Sequence, residues 1–189
     1  YSGEINGLGA YPWHQAFCGD IDICGFKRPQ SYYRDCVWGL ANKPYIVVHK
    51  PQYYGQNAIM SRWGWPDVQS SWTWPGFSGK PIIVDVYSRQ DDVELFLNGK
   101  SLGRKNCGKM NRYLVQYELA YEPGELTAIE YDSNGEVSHA KLFTAKTPTK
   151  LQLMADREYL SATFGDLAFI TIEMQDNAGH PVHNADNNV

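Results

Sequence analysis

The sequence predicts a mainly β protein built around one antiparallel β-sandwich, and three observations carry that expectation. After Asn42-Lys43-Pro44 the apolar period falls from about 3.6 residues to 2, the change from a helical stripe to alternating strand faces. Beyond that point short β-rich runs follow one another at regular spacing, each closed by a turn signal. Two of those signals, Asn98-Gly99 and Ser133-Asn134-Gly135, suit tight hairpins.

Taken in order, residues 1–16 (YSGEINGLGAYPWHQA) are rich in Gly, Tyr and Trp, lack sustained periodicity and read as a loop. FCGDIDICG (17–25) reads as a short extended piece. Alternation there places Cys18, Asp20, Asp22 and Cys24 on one face. Pro29 pre-sets a helical φ and fits a first helical turn. The run QSYYRDCVWGL continues it, with Tyr33, Val37 and Leu40 on one face and Gly39 as a stop. YIVVHK (45–50) is a β run. MSRWGWP and SSWTWPG each carry a W-x-W pair whose rings would share one strand face. PIIVDVYS (81–88), DVELFLNGKSLG (92–103), RYLVQYELAY (112–121), ELTAIEYD (125–132) and EVSHAKLFTA (136–145) complete the sandwich.

Thr147-Pro148-Thr149 reads as a linker. LQLMA and LAFITIEMQD beyond it are strands, and Asp176-Asn177-Ala178-Gly179 is a turn. Only about 40 residues remain there, whereas an immunoglobulin-like sandwich needs roughly 100. The expected division is therefore a lead-in at 1–42, a sandwich at 43–147 and an incomplete immunoglobulin-like unit at 148–189. Its unpaired strand edges would favour self-association.

Composition narrows the function classes. The 189 residues are 43% hydrophobic and 14% aromatic, with 6 Trp and 13 Tyr, enough for a substantial core. A formal net charge of −4 with scattered Lys and Arg argues against nucleic acid or an anionic membrane as partner. No apolar run approaches the roughly 20 residues of a membrane helix. The aromatic excess suits the flat faces of sugars. Four cysteines, Cys18, Cys24, Cys36 and Cys107, are too few and too unevenly spaced for a disulfide scaffold. A start at Tyr1 with no visible signal peptide reads as a cut from something longer.

Three stretches resemble one family, in its order, over almost the whole chain. GDIDICGFKRPQSYYRDCVW is similar to the end of the catalytic (β/α)8 barrel in glycoside hydrolase family 2, where such a stretch leads into the last barrel helix. WTWPG followed by PIIVDVYSRQDDVELFLNGKSLGRK resembles the β-sandwich behind the barrel in β-galactosidases of that family. LQLMADREYLSATFGDLAFITIEMQDNAGHPVHNADN is similar to the next immunoglobulin-like module of the Bacteroidetes-type enzymes. The resemblance implies a barrel tail (1–42), one complete sandwich and part of another. It implies a parent that hydrolyses terminal β-galactosides with retention, without a cofactor, in the periplasm or outside the cell. Retention requires two carboxylates roughly 5–5.5 Å apart. In the family both are glutamates upstream of the helix recognised here, and Glu94, Glu118, Glu130 and Glu173 lie on sandwich strands instead. The chain is expected to carry no catalytic residue, to contact the rest of the barrel and to be inactive alone.

Several residues remain as site candidates. Asp20 and Asp22 would serve as an acid/base pair or, more simply, anchor their loop through backbone amides and Lys27, Arg28 or Arg34. Zinc held by Cys18, Cys24 and His14 conflicts with the C-x5-C spacing, and a disulfide between these cysteines needs a hairpin to bring them together. No metal is expected. If residues 1–25 form the loop before the last barrel helix, Trp13 and His14 reach the sugar cleft of the intact enzyme; otherwise Trp13 packs the loop. Trp63, Trp65, Trp72 and Trp74 offer a rival function, a carbohydrate-binding module with an exposed platform of rings, against the simpler reading as core. His49, His139, His180 and His183 are scattered and suggest no triad.

Overall fold

Alternating apolar residues on the central strands decide which faces meet. In β4 (Asp92–Leu97) Val93, Leu95 and Leu97 are buried while the residues between them are partly exposed. In β3 (Pro81–Tyr87) Ile82, Val84 and Val86 are fully buried. These inward rows meet in one core with Val115 and Tyr117 of β6 (Leu114–Ala120), Leu126 and Ala128 of β7 (Glu125–Asp132), and Ile46 and Val48 of β1 (Tyr45–His49). The computed structural model describes residues 19–22, 24–57 and 64–186. Within them β2 (Val68–Gln69), β1, β3 and β6 form one four-stranded sheet, in that order. The other sheet runs β5 (Lys100–Asn106), β4, β7, β8 (Gly135–Phe143). All pairings are antiparallel, which makes the mainly β chain a β-sandwich.

The Asn98-Gly99 turn joins β4 to β5 with φ of 51° and 79°. Two consecutive left-handed residues are what a two-residue hairpin of matching twist requires, and Asn and Gly tolerate that region best.

One feature of β1 departs from simple alternation. Val47 points away from the sandwich core yet is fully buried, as is Tyr87 of β3 on the same outer face. Both pack in a second cluster with Val68 and with Cys36 of α1 (Tyr32–Trp38). Tyr33 meets the Tyr87 ring edge-on at 5.6 Å, and Tyr32 stacks on Tyr45 at 4.4 Å. The helix therefore covers the outer face of the first sheet.

The helical stripe expected from Tyr33, Val37 and Leu40 is corrected by this arrangement. Cys36 is 1% exposed, while Val37 is 45% and Leu40 is 67% exposed. Two backbone details set the phase. A 3-10 turn at Pro29–Ser31 precedes the seven-residue α1 and shifts its start. Gly39 then ends it with φ of 81°, so Leu40 lies beyond the last turn. Gly39 N–H and Leu40 N–H close the end on carbonyls of Cys36 and Asp35.

The W-x-W segments are corrected too. Apart from Val68–Gln69, residues 64–80 form no strand. They nevertheless hold position through hydrogen bonds to distant chain: Thr144 Oγ1 donates to the Trp72 carbonyl at 2.6 Å, and Ala145 N–H donates to Thr73 Oγ1 at 2.9 Å.

Beyond the sandwich β9 (Lys150–Ala155) pairs with β10 (Ile170–Gln175) as a separate two-stranded ribbon. The register sets Leu153 opposite Ile172, Leu151 opposite Met174 and Ala155 opposite Ile170. Leu151, Leu153, Ile170 and Ile172 share one face and are each 60% or more exposed. The following turn is tied to the sandwich through Asp176, whose carboxylate accepts N–H bonds from Ala178, His180 and Lys146, each at 2.9 Å. Those amides, with the His180 ring nearby, pull the Asp176 carboxyl down to about 2.

Candidate functional site

Strand β1 delivers His49 to the outer face of the first sheet, beyond the region α1 covers. Across the ladder Asp85 of β3 shares that face, and its carboxylate is almost wholly buried. His49 Nε2 lies 2.8 Å from Asp85 Oδ2, and Gln116 Nε2 of β6 donates to Asp85 Oδ1 at 2.8 Å. A buried carboxylate with both oxygens engaged fixes the imidazole beside it. Lys50-Pro51 then turns the chain through a 3-10 turn at Pro51–Tyr53. The returning segment brings Asp67 to Lys50, with Nζ 2.9 Å from Oδ2. Tyr54 donates its hydroxyl to Glu118, which holds its half-exposed ring over the outer strands. His49, Lys50, Tyr54 and Asp67, with Gln56, Asn57 and Ile83, line a pocket of about 210 Å³.

The residues singled out from sequence do not assemble there. Trp13, His14 and Trp63 lie outside the described residues, as does Cys18. Trp65 packs in the neighbourhood of α1, with the Tyr33 ring edge-on at 6.3 Å and the Arg34 guanidinium 4.9 Å from its centroid. Trp72 and Trp74 are corrected from platform to core, at 0% and 9% exposure. The Trp72 indole meets Tyr121 edge-on at 4.9 Å and donates its N–H to the Glu122 carbonyl at 3.0 Å. Tyr121 closes the arrangement by donating to the Trp72 carbonyl and accepting from Trp74 N–H, each at 3.2 Å. Neither ring can stack on a sugar from inside the core.

The aspartates of FCGDIDICG act as anchors. Asp22 accepts N–H bonds from Cys24 and Phe26 at 2.8 and 2.9 Å, and Asp20 pairs with Arg34 at 2.7 Å. Lys27 pairs with Asp35 of α1. Cys24 is exposed, whereas burial pushes the Cys36 thiol up to about 12 and the Cys107 thiol up to about 11. Both buried thiols are thus protonated and unreactive at neutral pH. Among the described residues no group of three or more His, Cys, Asp or Glu is placed to hold a metal.

The glutamates are similarly occupied. Glu130 is buried and accepts hydrogen bonds from Ser88 and Ser138 at 2.6 and 2.7 Å. Glu94 is held by Ser101 and Tyr131, Glu118 by Tyr54, and Glu173 accepts from Gln175. His139 faces Glu136 at 3.6 Å, and His180 stacks on Phe143 at 4.4 Å. The pocket at His49 escaped sequence reasoning because its partners are 36 residues apart. The available signal was the H-K-P-x-Y-Y run directly after a strand whose odd-numbered positions face outward.

Residues 79–138, from β3 into β8, match a family described as "Domain of unknown function (DUF4982)". Over 190 residues the chain is 30% identical to "Beta-galactosidase BoGH2A" of Bacteroides ovatus, an alignment covering 99% of this chain and 19% of that protein. Among solved structures, a glycosyl hydrolase family 2 member from Bacteroides cellulosilyticus superposes with a TM-score of 0.77 at 38% identity, over 90% of this chain and 24% of that one. The chain is a relative of the C-terminal portion of glycoside hydrolase family 2 proteins. A relative with a different printed activity is the putative β-glucuronidase of Formosa agariphila, 30% identical over 182 residues, or 95% of this chain and 16% of that protein. The chain thus spans under a fifth of the length of these curated relatives.

Proposed function

We propose that this chain is a non-catalytic C-terminal part of a retaining family 2 glycosidase acting on terminal β-galactosides. Its sandwich braces the catalytic barrel, of which α1 is the last helix. In the intact enzyme Trp13 or His14 would reach the sugar cleft. Substrate hydrolysis belongs to a carboxylate pair roughly 5–5.5 Å apart on the barrel. The enzyme works in the periplasm or outside the cell. The β-galactosidase name of the Bacteroides ovatus relative supports a galactoside, and the equally identical putative β-glucuronidase of Formosa agariphila makes a glucuronide the alternative to test beside it.

One observation carries the bracing role. α1 is fastened to the sandwich through Tyr32, Tyr33 and Cys36, while α1, the residues after it and the lead-in expose large apolar side chains. Cys36 is buried against Val47 and Tyr87, while Trp38 and Leu40 are 63% and 67% exposed, with Ile21 at 61% and Phe26 at 50%. Exposed apolar side chains of this size suit contact with another hydrophobic layer. The exposed face of β9 and β10 supports a parallel reading for residues 148–189, as the opening ribbon of a second immunoglobulin-like unit.

The bracing role is tested with a family 2 barrel prepared without its own sandwich. This chain should bind it, and the double variant Trp38→Glu/Leu40→Lys should lose that binding while melting within about 2 °C of the parent, since both side chains are exposed. Absence of binding, or equal binding by the variant, contradicts bracing.

A further inference from the structure

We propose that the outer-face pocket at His49, Lys50, Tyr54 and Asp67 is a binding site for a single neutral sugar ring. The inference draws on the glycosidase relationship only in choosing which sugars to test, and bracing is read by a different experiment.

Charge balance selects the ligand class. Among the described residues that line the pocket, the two charged side chains, Lys50 and Asp67, pair with each other at 2.9 Å. The imidazole of His49 already faces its own carboxylate, Asp85. An anionic or cationic ligand therefore meets no uncompensated partner among the described residues, and its desolvation has no return there. A vicinal diol meets what it needs: one hydroxyl accepts from the Lys50 ammonium, and its neighbour donates to the Asp67 carboxylate.

Shape and stacking point the same way. The pocket's volume of about 210 Å³ lies below the roughly 300–1,000 Å³ of clefts for drug-sized ligands, which limits it to one ring. Tyr54 is 39% exposed and its hydroxyl is engaged by Glu118, so the ring cannot swing away. A fixed aromatic face beside paired polar groups suits a pyranose, which has an apolar C–H face and a hydroxyl rim. The buried Asp85 and Gln116 pair holds His49 in place before any ligand arrives, which lowers the ordering cost of binding.

The test is a titration of the isotopically labelled chain with D-galactose, lactose and D-glucuronate, following backbone amide shifts. Both neutral sugars should shift the amides of Lys50, Tyr54, Gln56 and Asp67 saturably, with a roughly millimolar Kd. Glucuronate should bind at least about tenfold more weakly. Asp67→Asn should weaken galactose binding about tenfold or more through loss of a charged acceptor. Tyr54→Ala should weaken it about fivefold, and Tyr54→Phe, which keeps the ring but loses its tie to Glu118, should weaken it less. The amide pattern of the sandwich core serves as the check that each variant is folded. The proposal is overturned by no saturable shift up to about 100 mM sugar, by shifts centred elsewhere, by equal glucuronate affinity, or by undiminished binding in a folded Asp67→Asn chain.

Discussion

Replacing Trp72 with Ala should cost this chain about 3–5 kcal/mol of folding stability. The indole is fully buried, and the deletion removes its edge-on contact with Tyr121 and its hydrogen bond to the Glu122 carbonyl. It also leaves that carbonyl without its donor and opens a cavity between the two sheets. Against a total stability of about 5–15 kcal/mol for an ordinary domain, such a loss removes a fifth or more. Urea unfolding followed by far-ultraviolet circular dichroism should show the midpoint falling with little change in slope. Trp72→Phe keeps most of the volume and should cost about half as much. A loss below about 1 kcal/mol for Trp72→Ala would return the ring to the surface, where a sugar platform needs it.

Gly124→Ala should cost about 2–4 kcal/mol, more than its single methyl suggests. The residue has φ of 139°, and a Cβ there would sit 1.8 Å from Asn98 Oδ1. Asn98 has little freedom to withdraw. Its Oδ1 accepts from Glu125 N–H at 2.9 Å and its Nδ2 donates to the Pro123 carbonyl at 3.1 Å, so one side chain clamps the β4–β5 turn to the start of β7. The expected loss combines backbone strain of about 1–3 kcal/mol with at least one hydrogen bond of about 1 kcal/mol. In an Asn98→Ala background the same substitution should cost less, because the collision is gone and only the strain remains. Additive losses in that double-mutant cycle contradict the clamp.

Much of the sandwich is legible because its determinants are local. Asn98-Gly99 specifies its turn by backbone preference alone, and Val93, Leu95 and Leu97 reveal the buried face by their spacing. The strands from β3 to β10 accordingly fall close to their expected places. What the sequence conceals depends on contacts between distant segments. The helix phase is set by Tyr87 and Val47 receiving Cys36, not by the Val37–Leu40 stripe. That stripe is apolar although it faces solvent, so spacing alone points the helix the wrong way. The Trp72 and Trp74 spacing mimics a strand, but both rings are buried from irregular chain locked by Tyr121 and Thr144. The pocket exists only because antiparallel pairing of β1 with β3 and β3 with β6 brings His49, Asp85 and Gln116 together.

The described glutamates are placed as the proposed division of labour between this chain and a barrel requires. Glu130 is buried and fully engaged by two serines, a structural role that leaves it closed to substrate. Glu94 and Glu118 sit on different strands of different sheets, each bound to a neighbouring hydroxyl. A retaining mechanism needs two carboxylates converging on one sugar bond, with the acid's proton affinity raised by its surroundings.

The most direct measurement is hydrolysis of a chromogenic β-galactoside by the purified chain. Release of chromophore should be no faster than the buffer blank at any pH from about 4 to 8, the span in which a glycosidase acid/base pair operates. Turnover that persists through repurification, and that vanishes in a folded Glu118→Gln or Glu94→Gln variant, would contradict it.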